Sequence, residues 1–304
     1  MKAIALTGAT SMTGIALIKQ CIQHNVEVFA FVRKDSSRLR RLPKSDIVHL
    51  IYCNLDNMRG YNSIACLSPI DIFYHIGWAD NDRQGRYCCD KQIKNIKYTI
   101  DAVKLAKKLG CKKFIGIGSQ EEYGLFSEPM TGLSVVNPVS ATGIAKYAAG
   151  KLSKVEAVRL GLEYNWVRIF SIYGVNDHDD RLIKSFISNC KNNKPIDLGL
   201  CNHIWDYLYE DDMGYALFLI ADKGIDGKIY CLGSGMGKPL KEYLNIIRDI
   251  VNPDYICNYG KVPYAKNTIR YLCANISELT EDTGWLPKIT FEEGIKEIIS
   301  CHSR

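Results

Sequence analysis

The 304-residue sequence lacks the apolar run of roughly 18–20 residues that a membrane-spanning helix needs. Its 24 glycines and 9 prolines are too few for a low-complexity or fibrous chain. The 12 cysteines include no Cys-x-x-Cys pair, and several lie within apolar segments, where cysteine behaves as a small hydrophobic residue. We therefore expect reduced thiols, a cytoplasmic location, no metal site and no membrane partner.

Hydrophobic residues make up 47% of the chain and charged residues 24%, which is ordinary for a globular protein with a sizeable core. The net charge is +6, and the basic residues concentrate in residues 33–44, RKDSSRLRRLPK. This segment is either a solvated loop or a phosphate-binding edge. Because no nucleic-acid-binding motif accompanies it, we expect no nucleic-acid partner.

Short apolar runs alternate with longer amphipathic stretches through the first half of the chain. The runs predict strands at residues 3–7, 26–32, 47–52, 70–76, 114–118 and 165–169, and the stretches predict helices at 14–24, 87–108 and 141–160. Continuous apolar strands separated by helices are typical of a parallel sheet that is covered on both faces. The fold class expected is therefore α/β, with a doubly wound parallel sheet.

The N-terminal segment, MKAIALTGATSMTG, is typical of a buried strand followed by a turn, and not of a signal peptide. Gly8 permits a tight turn, and Gly14 permits close packing of the following helix against the strand. The amides at the start of that helix are suited to a pyrophosphate. An ordinary strand-to-helix turn is the alternative interpretation.

The turn TGATSMTG resembles the TGxxGxxG turn of the short-chain dehydrogenase/reductase superfamily, with Ser11 in place of the middle glycine. The segments KKFIGIGSQEEYG and NPVSATGIAKYAAGKL resemble the two catalytic segments of its extended branch, the nucleotide-sugar epimerases, dehydratases and reductases. Similar segments continue through VRIFSIYG, WDYLYEDDMGYAL and TGWLPKITFEEGI, so the resemblance covers nearly the whole chain.

The resemblance implies a Rossmann-type dinucleotide-binding domain at residues 1–172, to which residues 203–232 return. A smaller substrate-binding lobe is then formed by residues 173–202 and 233–304. It also implies an NAD(P) coenzyme held by a set of residues around the turn: Gly8, Thr10, Ser11, Met12, Gly14, Arg33, Lys34, Asn54, Leu55, Ile76, Gly77, Asn95 and Lys146.

The end of the second strand is where these proteins distinguish the two coenzymes. Arg33 and Lys34 stand there, and a guanidinium pairs well with the 2′-phosphate of NADP. We favour NADP(H); NAD is the alternative if Arg33 is only a surface residue.

In the family a Ser or Thr, a Tyr and a Lys carry the chemistry, and Ser119 and Lys146 match two of them. The Tyr position holds Thr142. An aliphatic hydroxyl is several pKa units less acidic than a phenol, whose pKa is about 10, and is too weak for efficient proton exchange at neutral pH. Three explanations stay open: another acid, such as Glu121 or a water held by Thr142; a catalytically silent binding protein; or an engineered change from Tyr.

Glu121 follows Gln120, where the dehydratases typically carry Asp-Glu. Glu121 is either an acid/base group or a polar cap of a loop, and the missing Asp disfavours a 4,6-dehydratase. The resemblance implies a nucleotide-diphosphate sugar contacted by Ser119, Gln120, His178 and Arg270. We therefore expect an NAD(P)-dependent 4-ketoreductase or epimerase, with a silent or engineered-inactive binding protein as the alternative. Related proteins dimerise through the helices at 87–108 and 141–160, so a homodimer is expected.

Overall fold

The computed structural model describes residues 1–61, 69–82, 84–264 and 268–301. The strands in these ranges are β1 (Ala3–Thr7), β2 (Glu27–Val32), β3 (Val48–Tyr52), β4 (Ile72–His75), β5 (Lys113–Ser119), β6 (Glu163–Ile169), β7 (Ser171–Tyr173), β8 (Ile204–Trp205), β9 (Tyr207–Tyr209), β10 (Ile229–Leu232) and β11 (Lys238–Pro239). The α-helices are α1 (Met12–Gln23), α2 (Cys89–Lys108), α3 (Ala141–Arg159), α4 (Leu182–Lys191), α5 (Glu210–Lys223), α6 (Leu240–Val251), α7 (Ser277–Thr283) and α8 (Phe291–Cys301).

Seven strands form one parallel sheet in the order β10-β6-β5-β4-β1-β2-β3. The chain moves outward in one direction from β1 to β3 and in the other from β4 to β6. The carboxyl ends of β1 and β4 lie side by side, with Thr7 opposite His75. Ligands of doubly wound sheets bind at such a reversal point, so this edge is where a site is expected. The predicted fold class is confirmed.

Helices cover both faces of the sheet because alternate residues of each strand point to opposite sides. Ile4 and Leu6 belong to the core that α1 and α5 cover, whereas Ala3 and Ala5 belong to the core that α2 and α3 cover. This two-sided burial accounts for the continuous apolar runs in the strands.

A third core lies among the later helices. Phe186 of α4, Leu244 of α6 and Ile295 of α8 meet there with Tyr173 and Tyr209. Strand β10 pairs with β6, so a segment after residue 203 does join the main sheet. The exact domain boundaries remain a prediction.

None of the helices in the described ranges is long and apolar enough to cross a membrane. The described cysteines are all unpaired thiols.

Candidate active site

Hydrogen bonds from the side chain and the backbone of Ser11 close the turn after β1. Gly8 has a φ of +71°, in the left-handed region that favours glycine. Ser11 caps α1: its hydroxyl donates to the Gly8 carbonyl at 2.7 Å and accepts from the Gly14 amide at 3.1 Å. That hydroxyl therefore shapes the turn in this structure, and a direct contact with phosphate stays a prediction.

Both glycines of the turn sit where a larger residue has no room. A Cβ on Gly8 would lie 2.6 Å from the Gly77 amide nitrogen, and one on Gly14 would lie 2.5 Å from the Gly8 carbonyl oxygen. The amides of Met12 and Thr13 lie in the first turn of α1, where no helical carbonyl is available to them. Close backbone approach and free amides at a helix N-terminus fit the pyrophosphate of a dinucleotide.

The other predicted coenzyme residues surround this turn at the carboxyl ends of the strands. Leu55 contacts the loop after β4, where a Cβ on Gly77 would lie 3.0 Å from its side chain. Arg33, Lys34 and Asn54 are exposed. Ile76, just after β4, is buried, and Thr10, within the turn itself, is partly exposed.

Asn95 is buried in α2, and both ends of its amide bind the backbone of Ala79. Its Oδ1 accepts from the Ala79 amide at 2.8 Å, and its Nδ2 donates to the Ala79 carbonyl at 3.0 Å. Asn95 thus fixes the loop that follows β4. Its contact with the coenzyme remains a prediction.

Lys146 lies on α3 and is nearly buried. Its Nζ donates to the Ile117 carbonyl of β5 at 2.6 Å and lies 3.9 Å from the centre of the Trp78 ring. Trp78 is itself held by a hydrogen bond from its indole nitrogen to Gln92 at 2.8 Å. Burial lowers the pKa of Lys146 to about 7, and the negative charge of Glu122 opposes that shift.

Ser119 ends β5 and begins a short turn that carries the other candidate groups. Its hydroxyl donates to Gln120 Oε1 at 2.6 Å and accepts from the Glu121 amide at 3.2 Å. Because Lys146 binds the carbonyl of Ile117, two residues before Ser119, the structure brings these two predicted catalytic residues to the same end of β5.

Thr142 is buried in the first turn of α3, and its hydroxyl donates to the Arg86 carbonyl at 2.7 Å. The guanidinium of Arg86 forms an ion pair with Glu121 Oε1, and Ser140 donates to the other carboxylate oxygen at 2.7 Å. Thr142 and Glu121 are therefore joined through Arg86. Sequence reasoning missed Arg86, since no motif or periodicity marks it.

Glu122, the neighbour of Glu121, is fully buried and belongs to the interior. Its carboxylate accepts from the Ser119 amide at 3.0 Å, from Trp166 Nε1 at 2.9 Å and from Arg168 Nε at 2.8 Å. Tyr123 is also buried, and its hydroxyl donates to the Thr131 carbonyl at 2.7 Å. Glu122 thereby fixes the end of β5 on which Ser119 lies.

The two more distant candidates, Arg270 and His178, lie at the surface. The Arg270 guanidinium stacks 3.8 Å from the Tyr264 ring centre, and the Tyr264 hydroxyl contacts His203 Nδ1 at 3.1 Å. Among the described residues, neither Arg270 nor His178 forms a hydrogen bond with Ser119. Their roles remain predictions.

The comparisons with known proteins agree with this architecture. The chain is 26% identical to dTDP-glucose 4,6-dehydratase of Haemophilus influenzae, over 99% of this chain and 98% of the relative. The crystal structure of UDP-glucose 4-epimerase from Thermotoga maritima with UDP-glucose superposes with a TM-score of 0.85 at 21% identity, over 99% of this chain and 98% of the other. UDP-glucuronic acid 4-epimerase from Bacillus cereus, in complex with UDP-glucuronic acid and NAD, gives a TM-score of 0.82 at 19% identity, over 98% and 99%.

Residues 4–233, most of the chain, match the model of one family, described as the NAD dependent epimerase/dehydratase family. The match begins in β1 and ends just beyond β10. It therefore spans the parallel sheet, the turn that carries Gly8 and Gly14 (the glycine turn) and the segments that hold Ser119 and Lys146. The chain belongs to the NAD dependent epimerase/dehydratase family.

Proposed function

We propose that this protein is an NAD(P)-dependent oxidoreductase acting on a nucleotide-diphosphate sugar, by 4-ketoreduction or epimerisation. The observation that carries the proposal is the position of Ser119 and buried Lys146 at one end of β5, within the sheet that carries the glycine turn. Solved structures of the same fold with NAD and a UDP-sugar support the ligand classes.

The coenzyme, when bound, supplies the exchange of hydride with the sugar carbon. The chain's own residues bind and orient. The amides after Gly8 hold the pyrophosphate, the Lys146 ammonium holds the nicotinamide ribose, and the Ser119 hydroxyl holds the reacting sugar oxygen. For Lys146 this requires that the ribose hydroxyls compete with its bond to the Ile117 carbonyl.

A proton must also move at the reacting oxygen, and we assign that task to Glu121. The Thr142 hydroxyl is too weak an acid and already donates to the Arg86 carbonyl. Glu121 has two hydrogen-bonding partners that stabilise a carboxylate, Arg86 and Ser140. In epimerisation the carboxylate takes the proton of the sugar hydroxyl as the carbon is oxidised, and the carboxylic acid so formed returns it when the carbon is reduced again. In 4-ketoreduction Glu121 starts protonated and gives its proton to the carbonyl oxygen as the carbon is reduced. Gln120 in place of an Asp favours reduction or epimerisation over dehydration.

A catalytically silent dinucleotide- and sugar-binding protein is the second candidate. The observation that favours it is the Thr142 hydroxyl, whose proton is already donated to the backbone carbonyl of Arg86. On this reading the site binds its ligands and no turnover follows.

Turnover assays separate the two candidates. The purified protein is first examined for bound nicotinamide by absorbance and fluorescence, and is then assayed for NADPH oxidation with 4-keto nucleotide sugars and for epimer interconversion. Activity that Glu121→Gln abolishes supports the enzyme and the role of Glu121, whereas activity that Glu121→Gln leaves unchanged contradicts that role. No activity in the wild type together with activity in Thr142→Tyr supports the silent protein.

A homodimer is part of the proposal. Large apolar side chains on α2 and α3 remain exposed in the single chain, among them Ile93, Leu152, Val155 and Val158. Exposed apolar side chains on two neighbouring helices are suited to burial against a second copy of the same surface.

A further inference from the structure

Arg86 contacts both Thr142, at which the sequence differs from its family's catalytic pattern, and Glu121, to which we assign the proton transfer. Its carbonyl accepts the hydroxyl of Thr142, which occupies the family's Tyr position, and its guanidinium pairs with Glu121. The Arg86 and Glu121 side chains are mostly buried, with 26% and 16% of their surfaces exposed. Arg86 therefore places a positive group beside the residues to which we assign the sugar chemistry.

The turn that carries Arg86 is rigidly anchored. Gln92 of α2 donates to the Gly85 carbonyl at 3.1 Å and to the Asp80 carbonyl at 3.0 Å, and Asp82 accepts from the Gly85 amide at 2.8 Å. Thr142 binds the Arg86 carbonyl itself. Hydrogen bonds to Gly85 and to Arg86 therefore fix the backbone at this position. A side chain on such a turn is pre-organised to meet a ligand.

The guanidinium also has an unused donor. Nε of Arg86 is buried and donates to none of the described residues. Buried donors in proteins are nearly always paired, so an unpaired one calls for an acceptor. A ligand oxygen entering beside Glu121 is an acceptor of the right kind.

We propose that Arg86 and Glu121 form a donor–acceptor pair that binds hydroxyls of a neutral hexose and selects against a uronate. The inference rests on the proposed function, because it names the sugar class for the same site. A sugar hydroxyl both accepts and donates, so it can take a hydrogen bond from Arg86 and give one to Glu121. A carboxylate only accepts, and it brings a second negative charge towards Glu121, whose charge already neutralises that of Arg86.

Calorimetric titration of the purified protein, saturated with coenzyme, tests this selection. The probes are UDP, UDP-glucose and UDP-glucuronate, which share one nucleotide and differ only in the sugar; the dTDP forms replace them if dTDP binds and UDP does not. In the wild type we expect UDP-glucose to bind at least tenfold more tightly than UDP-glucuronate. Equal affinities for the two sugars would overturn the inference.

Substitutions at the pair sharpen the test. Arg86→Met is expected to weaken UDP-glucose at least tenfold and to change the affinity for UDP less than twofold, so that UDP reports an intact fold. Arg86→Lys, which keeps the charge and loses Nε, should also weaken UDP-glucose with UDP unchanged. Glu121→Gln should narrow the gap between the two sugars, since it removes the repelling charge.

Arg159→Met is the matched control. Arg159 is paired with Glu156 at the far end of α3, about 25 Å along the helix from Thr142, and its loss should alter no affinity. Equal weakening of UDP and UDP-glucose by both Arg86 variants would contradict a sugar contact. Absence of binding by UDP, dTDP, GDP, CDP and ADP alike would refute the proposed function, and the inference with it.

Discussion

The ammonium group of Lys146 loses nearly all of its contact with water when the chain folds. Its pKa falls from about 10.5 to about 7 through burial, so between pH 7 and pH 10 the unfolded chain binds more protons than the folded one. The contribution of this residue to stability therefore rises with pH across that window and is least favourable at and below pH 7. His75, buried nearby with its pKa lowered to about 3, stays neutral throughout.

Comparison of the wild type with a variant that carries an uncharged residue in place of Lys146 should reveal this dependence of stability on pH. At pH 7 we expect the free energy of unfolding of Lys146→Met to exceed that of the wild type by on the order of a few kcal/mol, so that the variant unfolds at a higher urea concentration. The difference in free energy should shrink towards pH 10. Urea unfolding at several pH values measures it. A difference of the same size at every pH would show that burial of the charge is not the cause.

Arg33 decides the coenzyme in our account. It lies exposed just after β2, where the 2′-phosphate of NADP is expected. Removal of one charge-assisted hydrogen bond costs about 1.5–3 kcal/mol, so Arg33→Ala should weaken NADPH roughly tenfold or more and leave NADH unchanged. Fluorescence titration with the two reduced coenzymes measures both affinities. An equal effect on both, or on neither, would contradict a phosphate contact.

At the scale of single residues, the sequence predicts the candidates that lie in local motifs but not the contacts between distant segments. Ser119, Thr142 and Lys146 could be named as candidates from motifs, because each lies within a local sequence segment. Arg86 was not, since its partner Glu121 lies 35 residues further along the chain and the two meet only when the turn before α2 packs on α3. Ser11 shows the same limit, as its hydroxyl is used within the turn.

A buried ion pair links the turn after β5 to strand β6 at the candidate site. Glu122 and Arg168 have almost no exposed side-chain surface, and Glu122 also accepts from the Ser119 amide and from Trp166. Loss of one partner leaves an unpaired buried charge, so Glu122→Ala should lower the free energy of unfolding by about 3–5 kcal/mol.

The conservative variant Glu122→Gln is the control, because it keeps acceptor oxygen for the amide and the indole and should cost less than the alanine variant. Urea or thermal unfolding of the two variants gives the comparison. A loss below about 1 kcal/mol in Glu122→Ala would show that the pair does not anchor the strand ends.

Most elements of the sheet were predicted from the sequence to within two residues of their ends. β1 matches the prediction at both ends, and β2 and β3 each begin one residue later than predicted. Continuous burial on both faces produces runs that can be recognised without any partner. Helix α6 was not predicted, although Leu240, Tyr243, Leu244 and Ile247 show helical spacing and are buried. It contributes to a core formed by segments distant in sequence, which periodicity alone does not assemble.

The pairing of two chains is the first prediction for the whole molecule. Val155 and Val158 on α3 are each 67% exposed, and Ile93 on α2 is 60% exposed. Val155→Glu together with Val158→Glu should convert a dimer into a monomer, because two charges per copy would be buried at a self-complementary face. Sedimentation velocity measures the mass. Ile225→Glu, at an exposed apolar residue outside these helices, is the control and should leave the mass unchanged. A monomeric wild type would contradict the prediction.

Binding of a nicotinamide dinucleotide at the glycine turn is the central claim for the whole molecule, and isothermal calorimetry tests it most directly. We expect one molecule of NAD or NADP, oxidised or reduced, to bind each wild-type chain. Gly14→Ala should weaken this binding at least tenfold, because its Cβ would lie 2.5 Å from the Gly8 carbonyl oxygen. Gly110→Asn, at a left-handed position with open space around it, should bind as the wild type does. A folded wild-type chain that binds none of the four coenzymes would contradict the account.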